Sequence, residues 1–357
     1  MQIDPIIKSD AELTETKNES SPIVLSSRIR LARNLSQFYF PGWANSSQRD
    51  EVLSVCLNAI SHIDSMKNGT RLEIDELTPL EKKILVERHL ISRELEQRSP
   101  QSGVFISADQ SCSIMVNEED HLRIQKVRRG MSFDDLWDEI NPIDSGLEEV
   151  LDYAFSDDFG YLTACPTNLG TGIRASAMLH LPGLVLAGHM EKVVRTVNHL
   201  GIAVRGLFGE GSEAMGSIFQ ISNQQTLGES EQEIIHRLKN VLDAVIEQEI
   251  NARGKLLEDN PMMIYDKLSR AAGILQNSYL LTSEEAMGML SLLRFGVDLG
   301  FLPDSFRAIV DRYFIETQPG HIQYFTGKSS TSEERDQIRA EQMRKAFASL
   351  PALDFNK

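Results

Sequence analysis

Apolar residues recur along the chain with two different spacings, and each spacing predicts a different kind of element. In residues 234–246 they recur every three or four positions, which is typical of a helix that buries one face. In residues 103–127 short apolar and β-branched runs flank a tight turn at Asp109–Gln110, which predicts consecutive strands. A second strand-rich stretch, residues 201–224, contains a glycine-rich loop. The chain therefore combines helices with mainly antiparallel strands.

Capping residues mark where two of the helices begin. Thr78 precedes a proline and is followed three residues later by Glu81, which is the arrangement of a capping box. Ser230 and Glu233 repeat this arrangement at the start of the long helix. We expect that helix to end at Asn260–Pro261, because the residue before a proline disfavours the helical conformation.

Beyond Pro261 the pattern is helical throughout. Segments rich in Leu, Met and Ala predict four helices, at residues 261–277, 282–295, 303–317 and 331–349. We therefore predict an α+β fold followed by an all-helical domain. The expected parts are a flexible lead-in at residues 1–22, a domain with a mainly antiparallel sheet flanked by helices at residues 23–258, and a helical C-terminal domain at residues 259–357.

Composition and charge exclude several classes of protein. The 357 residues are 41% hydrophobic and 25% charged, which is the profile of a globular protein with a sizeable core. No run of 18 apolar residues occurs and the N-terminal residues are polar, so we expect a cytoplasmic protein without a membrane span or signal peptide. The net charge of −16 disfavours binding to nucleic acid and would suit basic partners.

The three cysteines and two tryptophans carry less information. Cys56, Cys112 and Cys165 are far apart, odd in number and form no CxxC pair, so a disulfide framework or zinc site is not expected. Cys56 falls on an apolar helical pattern and is predicted to be a core residue. Trp43 and Trp137 are predicted to pack in the interior.

Charged residues recur where strands and loops do not ordinarily require them. Any one such site is most simply a surface charge, but together they suggest a cleft in which several guanidinium groups grip a polyphosphate. Carboxylates beside them would hold magnesium or a cationic acceptor. The four sites are Arg28 with Arg30, two apart and so on one strand face; Glu118, Glu119 and Asp120 with Arg123; Cys165 with Arg174; and Arg205 with Glu210 and Glu213.

Two common phosphate-binding motifs do not account for these residues. TGKSS at residues 326–330 resembles the end of a P-loop, but the required glycine is replaced by Ile322. GTGIRA at residues 170–175 fits a dinucleotide-binding pattern only weakly, because its glycines follow a Cys-Pro turn and not a clean strand. Arginines, and not a glycine loop with a lysine, are therefore expected to hold a nucleotide.

Four motifs in order across residues 23–235 resemble the guanidino kinases, or phosphagen kinases, such as creatine and arginine kinase. They are SSRIRLARNL, VNEEDHLR, CPTNLGTGIRAS and VRG-x-x-GE. The small helical N-terminal domain of those enzymes has no counterpart before Ser26, and a helical C-terminal domain is added. This layout resembles the bacterial protein-arginine kinases of the same family, and the resemblance covers almost the whole chain.

The resemblance implies a set of catalytic and nucleotide-binding residues. Glu119 would orient the acceptor guanidinium and take its proton, Glu118 would reach Mg²⁺ through water, Glu210 would be the second carboxylate on the acceptor, and Cys165 would lie beside the guanidinium. Arg28, Arg30, Arg123, Arg174 and Arg205 would hold the phosphates of ATP. The implied ATP site comprises Ser27, Arg28, Ile29, Arg30, Leu31, His89, Arg123, Arg174, Ala175, Ser176, Ala177, Met178, Arg205, Gly206, Leu207, Phe208, Gly209 and Glu210.

Two departures from the small-molecule guanidino kinases concern nucleotide contacts. Met178 stands where those enzymes have a histidine, and Gln220 where they have an aspartate. The residues that meet the base and ribose therefore stay open, whereas the phosphate-binding arginines are all present.

The helical domain contains a further motif. Residues 335–340, with the sequence RDQIRA, match the RDxxRA motif that in the similar kinases binds phosphoarginine allosterically. The implied site is Arg335, Asp336, Gln337, Ile338, Arg339 and Ala340. Arg335 and Arg339 are i, i+4 neighbours, so that they would clamp a phosphate while Asp336 meets a guanidinium. Without the resemblance, an exposed helix with salt bridges would be the simpler interpretation.

The function that the resemblance implies is transfer of the γ-phosphoryl group of ATP to arginine side chains of proteins, with Mg²⁺ as cofactor. It also implies a homodimer, a role in the stress response, marking of proteins for Clp protease degradation, and partners such as a Clp ATPase and a zinc-binding activator of the McsA type. A kinase for free arginine or another small guanidine is the main alternative. A cysteine-dependent deiminase or amidinotransferase would have no use for five phosphate-gripping arginines, and a catalytically inactive phosphoarginine-binding adaptor would not need Glu119, Glu210 and Cys165.

Overall fold

The computed structural model describes residues 2–9, 22–98, 100–206, 215–327 and 330–355. Within these ranges the strands are β1 (Val24–Arg33), β2 (Thr70–Glu73), β3 (Gly103–Ile106), β4 (Cys112–Val116), β5 (Leu122–Arg129), β6 (Phe155–Ser156), β7 (Gly160–Tyr161), β8 (Ile173–His180), β9 (Ile202–Gly206) and β10 (Ile218–Asn223).

Thirteen α-helices occur in the same ranges. They are α1 (Asp4–Lys8), α2 (Ser46–Ser61), α3 (Pro79–Glu87), α4 (Arg93–Gln97), α5 (Phe133–Glu148), α6 (Pro182–Leu186), α7 (Met190–His199), α8 (Glu231–Asp259), α9 (Pro261–Asn277), α10 (Ser283–Asp298), α11 (Ser305–Glu316), α12 (Pro319–Thr326) and α13 (Ser332–Ala346).

Eight strands form one sheet in the order β2-β3-β4-β5-β1-β8-β10-β9, and β6 pairs with β7 in a hairpin. The pairs from β2 through β5 to β1 are antiparallel. The predicted α+β fold with an antiparallel sheet and a helical C-terminal region is thus confirmed. The described residues form two compact units. The first holds residues 2–9, 26–177 and 222–239. The second holds residues 22–25, 178–206, 215–221, 240–327 and 330–355.

In the first unit, alternation along β1 separates an apolar face from a charged one. Ile29 and Leu31 are completely buried, and Leu31 lies opposite Ile124 of β5. The helix α5 covers this face, where Lys126 of β5 forms an ion pair with Glu139 at 2.8 Å. The burial of one face fixes the register of the strands, because a slip by one residue would turn every side chain to the wrong side.

A buried ion pair holds the end of β1 against α5. The Arg33 guanidinium donates to the Asp144 carboxylate at 2.6 Å and its carbon lies 3.6 Å from the centre of the Tyr161 ring. The same guanidinium also donates to the carbonyl oxygens of Ala32 and Thr171, each at 2.9 Å. Because all three of its nitrogens donate hydrogen bonds, this buried arginine fixes the position of the backbone segment that leads into β8.

The second unit is built largely from helices around an apolar core. Its α10 packs against α9 and α11, and α13 packs against α9. Met287, Leu290, Val310, Met343 and Phe347 form part of this core and are all fully buried. Their burial explains why the Leu-, Met- and Ala-rich segments are helical, since each helix hides one apolar stripe in the shared core.

Most of the predicted helices are confirmed, including both capping boxes. The Thr78 amide donates to the Glu81 carboxylate at 3.0 Å, and the Ser230 amide donates to Glu233 at 2.8 Å. The helix α12 was missed, because Pro319–Gly320 looks like a turn in the sequence. Proline is tolerated at the first position of a helix, and Gly320, His321 and Ile322, which follow it in α12, are buried.

Two other expectations are wrong. Residues 2–9, expected in a flexible lead-in, contain α1, and its Ile6 is buried while the amide of Gln2 donates to Glu81. Trp43, expected to pack in the interior, is 88% exposed. The interior position predicted for Cys56 is confirmed. The predicted boundary between the sheet-containing domain and the helical domain, near residue 258, stays a prediction.

Candidate active site

Three of the predicted phosphate-binding arginines share one face of the sheet. In the pairing of β1 with β5, Arg30 lies opposite Gln125 and Ala32 lies opposite Arg123. Directly opposed residues of antiparallel strands project to the same face, as do residues two apart on one strand. Arg28, Arg30 and Arg123 therefore project from the face opposite to that of Ile29 and Leu31.

These guanidinium groups repel one another together with Arg174 of β8. The pKa of Arg28 is lowered to about 10, chiefly by burial and then by repulsion from Arg123 and Arg174. Burial, followed by repulsion from Arg28, Arg123 and Arg174, holds the pKa of Arg30 well below its usual value. The negative charge of Glu118 opposes this shift. Such a cluster is electrostatically costly by itself and is relieved by a polyanion.

Hydrogen bonding in the cluster is also incomplete. Among the described residues, the Nε atom of Arg30 is buried and has no hydrogen-bond partner. Arg174 donates to the Ser222 hydroxyl at 3.3 Å. A buried donor without a partner is uncommon in native proteins, and in a ring of arginines it fits the bidentate acceptor oxygens of a phosphate.

His89 is held next to this cluster in a strained backbone conformation. Its φ is 59°, in the left-handed region, and its carbonyl oxygen accepts from the Gln125 amide at 2.7 Å. Burial, then repulsion from Arg28 and Arg93, lowers the pKa of His89 to about 4. The imidazole is therefore neutral near pH 7 and adds no further repulsion to the arginines.

Arg123 connects the arginine cluster to the acidic motif. One of its terminal nitrogens donates to Glu118 at 2.5 Å and the other lies 3.4 Å from Glu119. Glu118 is fully buried, and its oxygens also accept from the Ser92 hydroxyl at 2.5 Å and from the Glu119 amide at 3.1 Å. Arg123 thus supplies positive charge that offsets the repulsion between these adjacent acids.

Glu119 is the more accessible of the two glutamates. Its side chain is 39% exposed, against none for Glu118. Burial raises the pKa of Glu119, and the negative charges of Asp120, Glu118 and Glu94 raise it further, while Arg123 opposes them. A carboxylate with a raised pKa is a better proton acceptor, which fits the role that the resemblance implies for Glu119.

Asp120 ties the acidic turn to the cysteine loop. Its Oδ1 accepts from the Ala164 amide at 2.7 Å and from the Asn34 side chain at 2.6 Å. The side chain of Asn34 also donates to the carbonyl of Leu162 at 3.0 Å. Because Ala164 precedes Cys165 directly, these bonds hold the thiol loop beside Glu118–Asp120.

Cys165 differs from the other two cysteines in its surroundings. Its thiol is partly exposed and lies 3.0 Å from the Thr167 hydroxyl. Burial raises the pKa of Cys56 and of Cys112 to about 12, so that neither is a nucleophile or thiolate near neutral pH. Of the three thiols, only Cys165 is accessible to chemistry.

The glycines of the cysteine loop serve close packing. A Cβ atom on Gly170 would lie 2.5 Å from the Thr226 carbonyl oxygen, and one on Gly172 would lie 2.6 Å from the Ala32 carbonyl oxygen. Both residues also have positive φ, 107° and 66°. These glycines therefore let the loop pack closely on the protein itself.

Several positions of the predicted ATP site are buried away from the charged face. Strand alternation turns Ser27, Ile29 and Leu31 to the opposite side, where the Ser27 hydroxyl accepts from the Ser132 amide at 3.0 Å. Ala175 and Ala177 of β8 are also fully buried, whereas Ser176 alternates to the side of Arg174 and is 2% exposed. Their part in nucleotide binding remains a prediction.

The remaining predicted ATP-site residues lie in the second unit or outside the described residues. Met178 and Arg205 belong to the second unit, where Arg205 and Gly206 line a cavity of about 630 Å³ between α7 and β9 together with Glu191 and Arg195. Leu207, Phe208, Gly209 and Glu210, and likewise Glu213, lie outside the described residues.

The RDxxRA segment lies on α13, and its two arginines are in different environments. Arg339 is 1% exposed and donates to the carbonyls of Thr317 and Leu281, each at 2.8 Å, and to Asp336 at 2.6 Å. Arg335 is half-buried and donates to the carbonyl of Ser330 at 2.6 Å. A phosphate bound to Arg339 would therefore compete with Asp336 and with the Thr317 and Leu281 carbonyls for its hydrogen bonds.

The described residues contain no group of three or more His, Cys, Asp or Glu side chains that could hold a metal ion. Both oxygens of Glu118 are already hydrogen-bonded, so it fits contact with Mg²⁺ through water better than direct ligation. In the same part of the chain, no helix is long and apolar enough to cross a membrane.

Some contributors to the site were not singled out from the sequence. Ser92 supports Glu118, and Asp120 was noted only as part of the acidic run. The ring nitrogens of His121 bond the Leu35 amide and the Tyr39 carbonyl, each at 3.0 Å. These contacts join residues far apart in sequence, so no local signal in the sequence reveals them.

Comparison with known proteins matches this geometry. The profile of the ATP:guanido phosphotransferase C-terminal catalytic domain matches residues 51–252. The chain therefore belongs to the ATP:guanido phosphotransferase family, as its motifs had predicted. Residues 261–357 match the profile described as the protein-arginine kinase McsB C-terminal domain.

Individual relatives are similar over most of the chain. A protein described as a protein-arginine kinase from Pelotomaculum thermopropionicum is 44% identical, covering 93% of this chain and 94% of the relative. One with the same description from Brevibacillus brevis is 44% identical over 91% of each chain. The crystal structure of lombricine kinase has a TM-score of 0.57 and 26% identity, covering 72% of this chain and 71% of that one.

Proposed function

We propose that this enzyme is a protein-arginine kinase, which transfers the γ-phosphoryl group of ATP to arginine side chains of proteins. The observation that carries the proposal is the cluster of Arg28, Arg30, Arg123 and Arg174, joined through Arg123 to the acidic pair Glu118 and Glu119. The relatives that are 44% identical bear the same description, and the C-terminal residues match the domain named for these kinases.

The arginine cluster supplies the phosphate-binding half of the proposed site. Its mutually repelling guanidinium groups are stabilised when the triphosphate binds, and the same charges stabilise the phosphoryl group as it moves. Arg30 has a buried Nε–H directed to no acceptor among the described residues, which suits it to a phosphate oxygen. Arg205 of β9 is the fifth phosphate-binding arginine that the resemblance implies.

The carboxylates supply the acceptor half. A guanidinium is a poor nucleophile, because it is protonated at neutral pH and its charge is delocalised. Glu119 would orient the acceptor, with Glu210 as the second carboxylate. One guanidinium nitrogen forms a bond to the γ-phosphorus, the bond from that phosphorus to the bridging oxygen of ADP breaks, and the proton of the nitrogen passes to Glu119.

Cys165 and Glu118 have supporting parts in this mechanism. Cys165, held by the bonds between Asp120 and the preceding residue, would stabilise the cationic acceptor electrostatically. Glu118 would hold Arg123 in place and contact a water of the hydrated Mg²⁺. When bound with ATP, the metal ion neutralises charge on the phosphates.

Regulation and cellular role belong to the same proposal. We propose that the RDxxRA segment senses phosphoarginine and that the helical domain supports a homodimer. We also propose that the enzyme acts in the cytoplasm in the stress response, marking proteins for Clp protease degradation, with a Clp ATPase and an activator of the McsA type as partners. The match of residues 261–357 supports this reading of the domain.

An assay of two acceptors tests the proposal. A folded protein with exposed arginines and free arginine are each incubated with ATP and Mg²⁺, and phosphoarginine is measured by mass spectrometry under non-acidic conditions. We expect phosphorylation of the protein, with losses of about 10²-fold or more in Glu119→Ala and smaller losses in Cys165→Ser. Phosphorylation of free arginine alone would contradict the proposal and favour the small-guanidine kinase.

A further inference from the structure

Two exposed aromatic segments lie beside the acceptor half of the site. One is the loop of residues 36–45, where Trp43 is 88% and Tyr39 is 67% exposed. The other is the hairpin of β6 and β7, where Phe155 is 55% and Phe159 is 52% exposed. Soluble proteins tolerate scattered exposed apolar residues, but their concentration on two adjoining segments indicates a binding surface.

The two segments are joined to each other by backbone contacts. Leu35 forms a β-bridge with Tyr153, and the Ser36 amide donates to the Asp152 carbonyl at 2.9 Å. The Ala154 amide donates to the carbonyl of Asn34 at 2.7 Å. These bonds place the base of the loop directly against the base of the hairpin, within the first unit.

Both segments are also anchored to the acidic turn and the cysteine loop. The Tyr39 carbonyl bonds to a ring nitrogen of His121, and the rings of Phe38 and Phe40 pack edge-on against the same imidazole. Leu162, where the hairpin ends, accepts a bond from Asn34, whose side chain also bonds Asp120. The two segments that carry the exposed aromatic residues are therefore bonded to the turn that holds Glu119 and to the stretch that leads into Cys165.

The charge of the surroundings favours a basic occupant. Asp157 and Asp158 are exposed at the tip of the hairpin between the two phenylalanines, and Glu94 is exposed near enough to Glu119 to raise its pKa. A surface that combines aromatic rings with carboxylates attracts a polypeptide in which apolar side chains neighbour an arginine. Nothing in it suits a free amino acid, which has no flanking residues to fill it.

We propose that Tyr39, Trp43, Phe155 and Phe159 form a docking surface for the polypeptide that flanks the acceptor arginine, and that it selects arginines with apolar neighbours. This inference rests on the proposed protein-arginine kinase activity and specifies its substrate class.

A pair of peptides tests the selectivity. Both contain one arginine, flanked in the first by Phe, Leu and Val and in the second by Ser and Gly, and a small arginine amide serves as a third substrate. We expect the wild type to prefer the apolar peptide through a lower KM. In Tyr39→Ser/Trp43→Ser the ratio of kcat/KM between the apolar peptide and the arginine amide should fall roughly tenfold.

Matched variants control for the loss of exposed apolar residues in general. Ile250→Ser/Met262→Ser changes two side chains that are 55% and 73% exposed on helices of the second unit, and the ratio should stay as in the wild type. An equal loss for all three substrates in Tyr39→Ser/Trp43→Ser, or an unchanged ratio, would overturn the proposal. So would a change in oligomeric mass caused by that variant, since the surface would then be an interface between copies.

A binding measurement separates this inference from the proposed function. The chain has two tryptophans, so that Trp137→Phe leaves Trp43 as the only indole reporter. Titration with the apolar peptide should shift Trp43 emission to shorter wavelength, and the Ser/Gly peptide should not. If this shift occurs but no peptide is phosphorylated, the docking surface stands and the proposed kinase activity fails. If peptides are phosphorylated without the shift, the docking surface fails alone.

Discussion

Two groups of arginines, one in each unit of this protein, differ in how their charge is balanced. In the second unit, Arg294 is completely buried and donates to Asp311 at 2.7 Å, to Asp298 at 3.2 Å and to the carbonyl of Pro22 at 2.6 Å. In the first unit, Arg28 and Arg30 have other arginines as their main electrostatic neighbours. The charge of Arg294 is balanced by the carboxylates of Asp298 and Asp311, whereas Arg28 and Arg30 are repelled by neighbouring guanidinium groups.

The second-unit arginines share a small set of buried acids. Asp298 accepts from Arg253 at 3.1 Å and from Arg307 at 3.1 Å as well as from Arg294. Glu249 accepts from Arg253 at 2.6 Å and caps the amides of residues 183 and 184, each at 2.8 Å. Burial raises the pKa of Asp298, but the three guanidinium groups oppose the shift. Such a network positions helices and has no capacity left for a ligand.

This contrast shows that buried arginines do not by themselves indicate a binding site. The distinguishing property is the balance of charge around them. Where carboxylates match the guanidinium groups, removal of one partner harms folding. Where the guanidinium groups repel one another, removal of one is expected to harm ligand binding and to spare folding.

The largest expected effect is that of Arg30→Met on catalysis. The variant loses a proposed phosphate-binding group, so kcat/KM for ATP should fall about 10³-fold. Its thermal midpoint should stay the same or rise, because a repelling charge has been removed. Steady-state kinetics and thermal unfolding of the same preparation check both. A lower thermal midpoint together with near-normal kinetics would show that Arg30 serves folding and not ligand binding.

A comparable effect, on stability, is expected for Arg294→Met. The change leaves Asp298 and Asp311 short of a buried cation, and the free energy of unfolding should fall by about 3–5 kcal/mol. Arg270→Met is the matched control, since Arg270 is 73% exposed and pairs with Asp266 on the helix surface. There the loss should be about 0.5 kcal/mol or less. Similar denaturation midpoints for both variants would show that the buried network is not structural.

The smallest expected effect concerns pH. The pKa of Glu119 is raised, so activity should decline on acidification at a higher pH than an ordinary glutamate would cause. Glu94→Gln removes one of the negative charges that raise this pKa. The pKa should therefore drop, and the acidic limb of kcat/KM should move to lower pH by about half a unit or less.

Glu96→Gln provides the control for this shift, because Glu96 lies on the same short helix but is not among the charges that act on Glu119. Its pH profile should coincide with that of the wild type. A shift of the acidic limb to higher pH in Glu94→Gln would contradict the electrostatic account of Glu119.

Much of the local structure was predictable because its causes are local. The capping boxes at Thr78 and Ser230 depend on residues three apart, and both form as expected. The shared face of Arg28 and Arg30 follows from strand alternation alone. The helix α12 and the exposure of Trp43 were not predictable in this way, because the burial of a side chain depends on distant partners.

The site shows the same limit. The acidic run and the cysteine motif were visible as unusual residues, but their connection through Asp120, Asn34 and Ala164 was not. The glycines of the cysteine loop are visible in the sequence, but their close packing against the Thr226 and Ala32 backbone is not. A glycine signals a close approach without saying what approaches it.

The sequence by itself determined the kinds of chemistry available to this protein: guanidinium groups that cannot lose their charge, carboxylates beside them, and one cysteine outside the apolar pattern. Only the tertiary structure decided which of these charges are satisfied. It paired Arg294 with Asp298 and left the Nε of Arg30 buried without a hydrogen-bond partner among the described residues. The reason is that residue type fixes a charge, whereas the cost or value of that charge depends on burial and neighbours, which folding alone supplies.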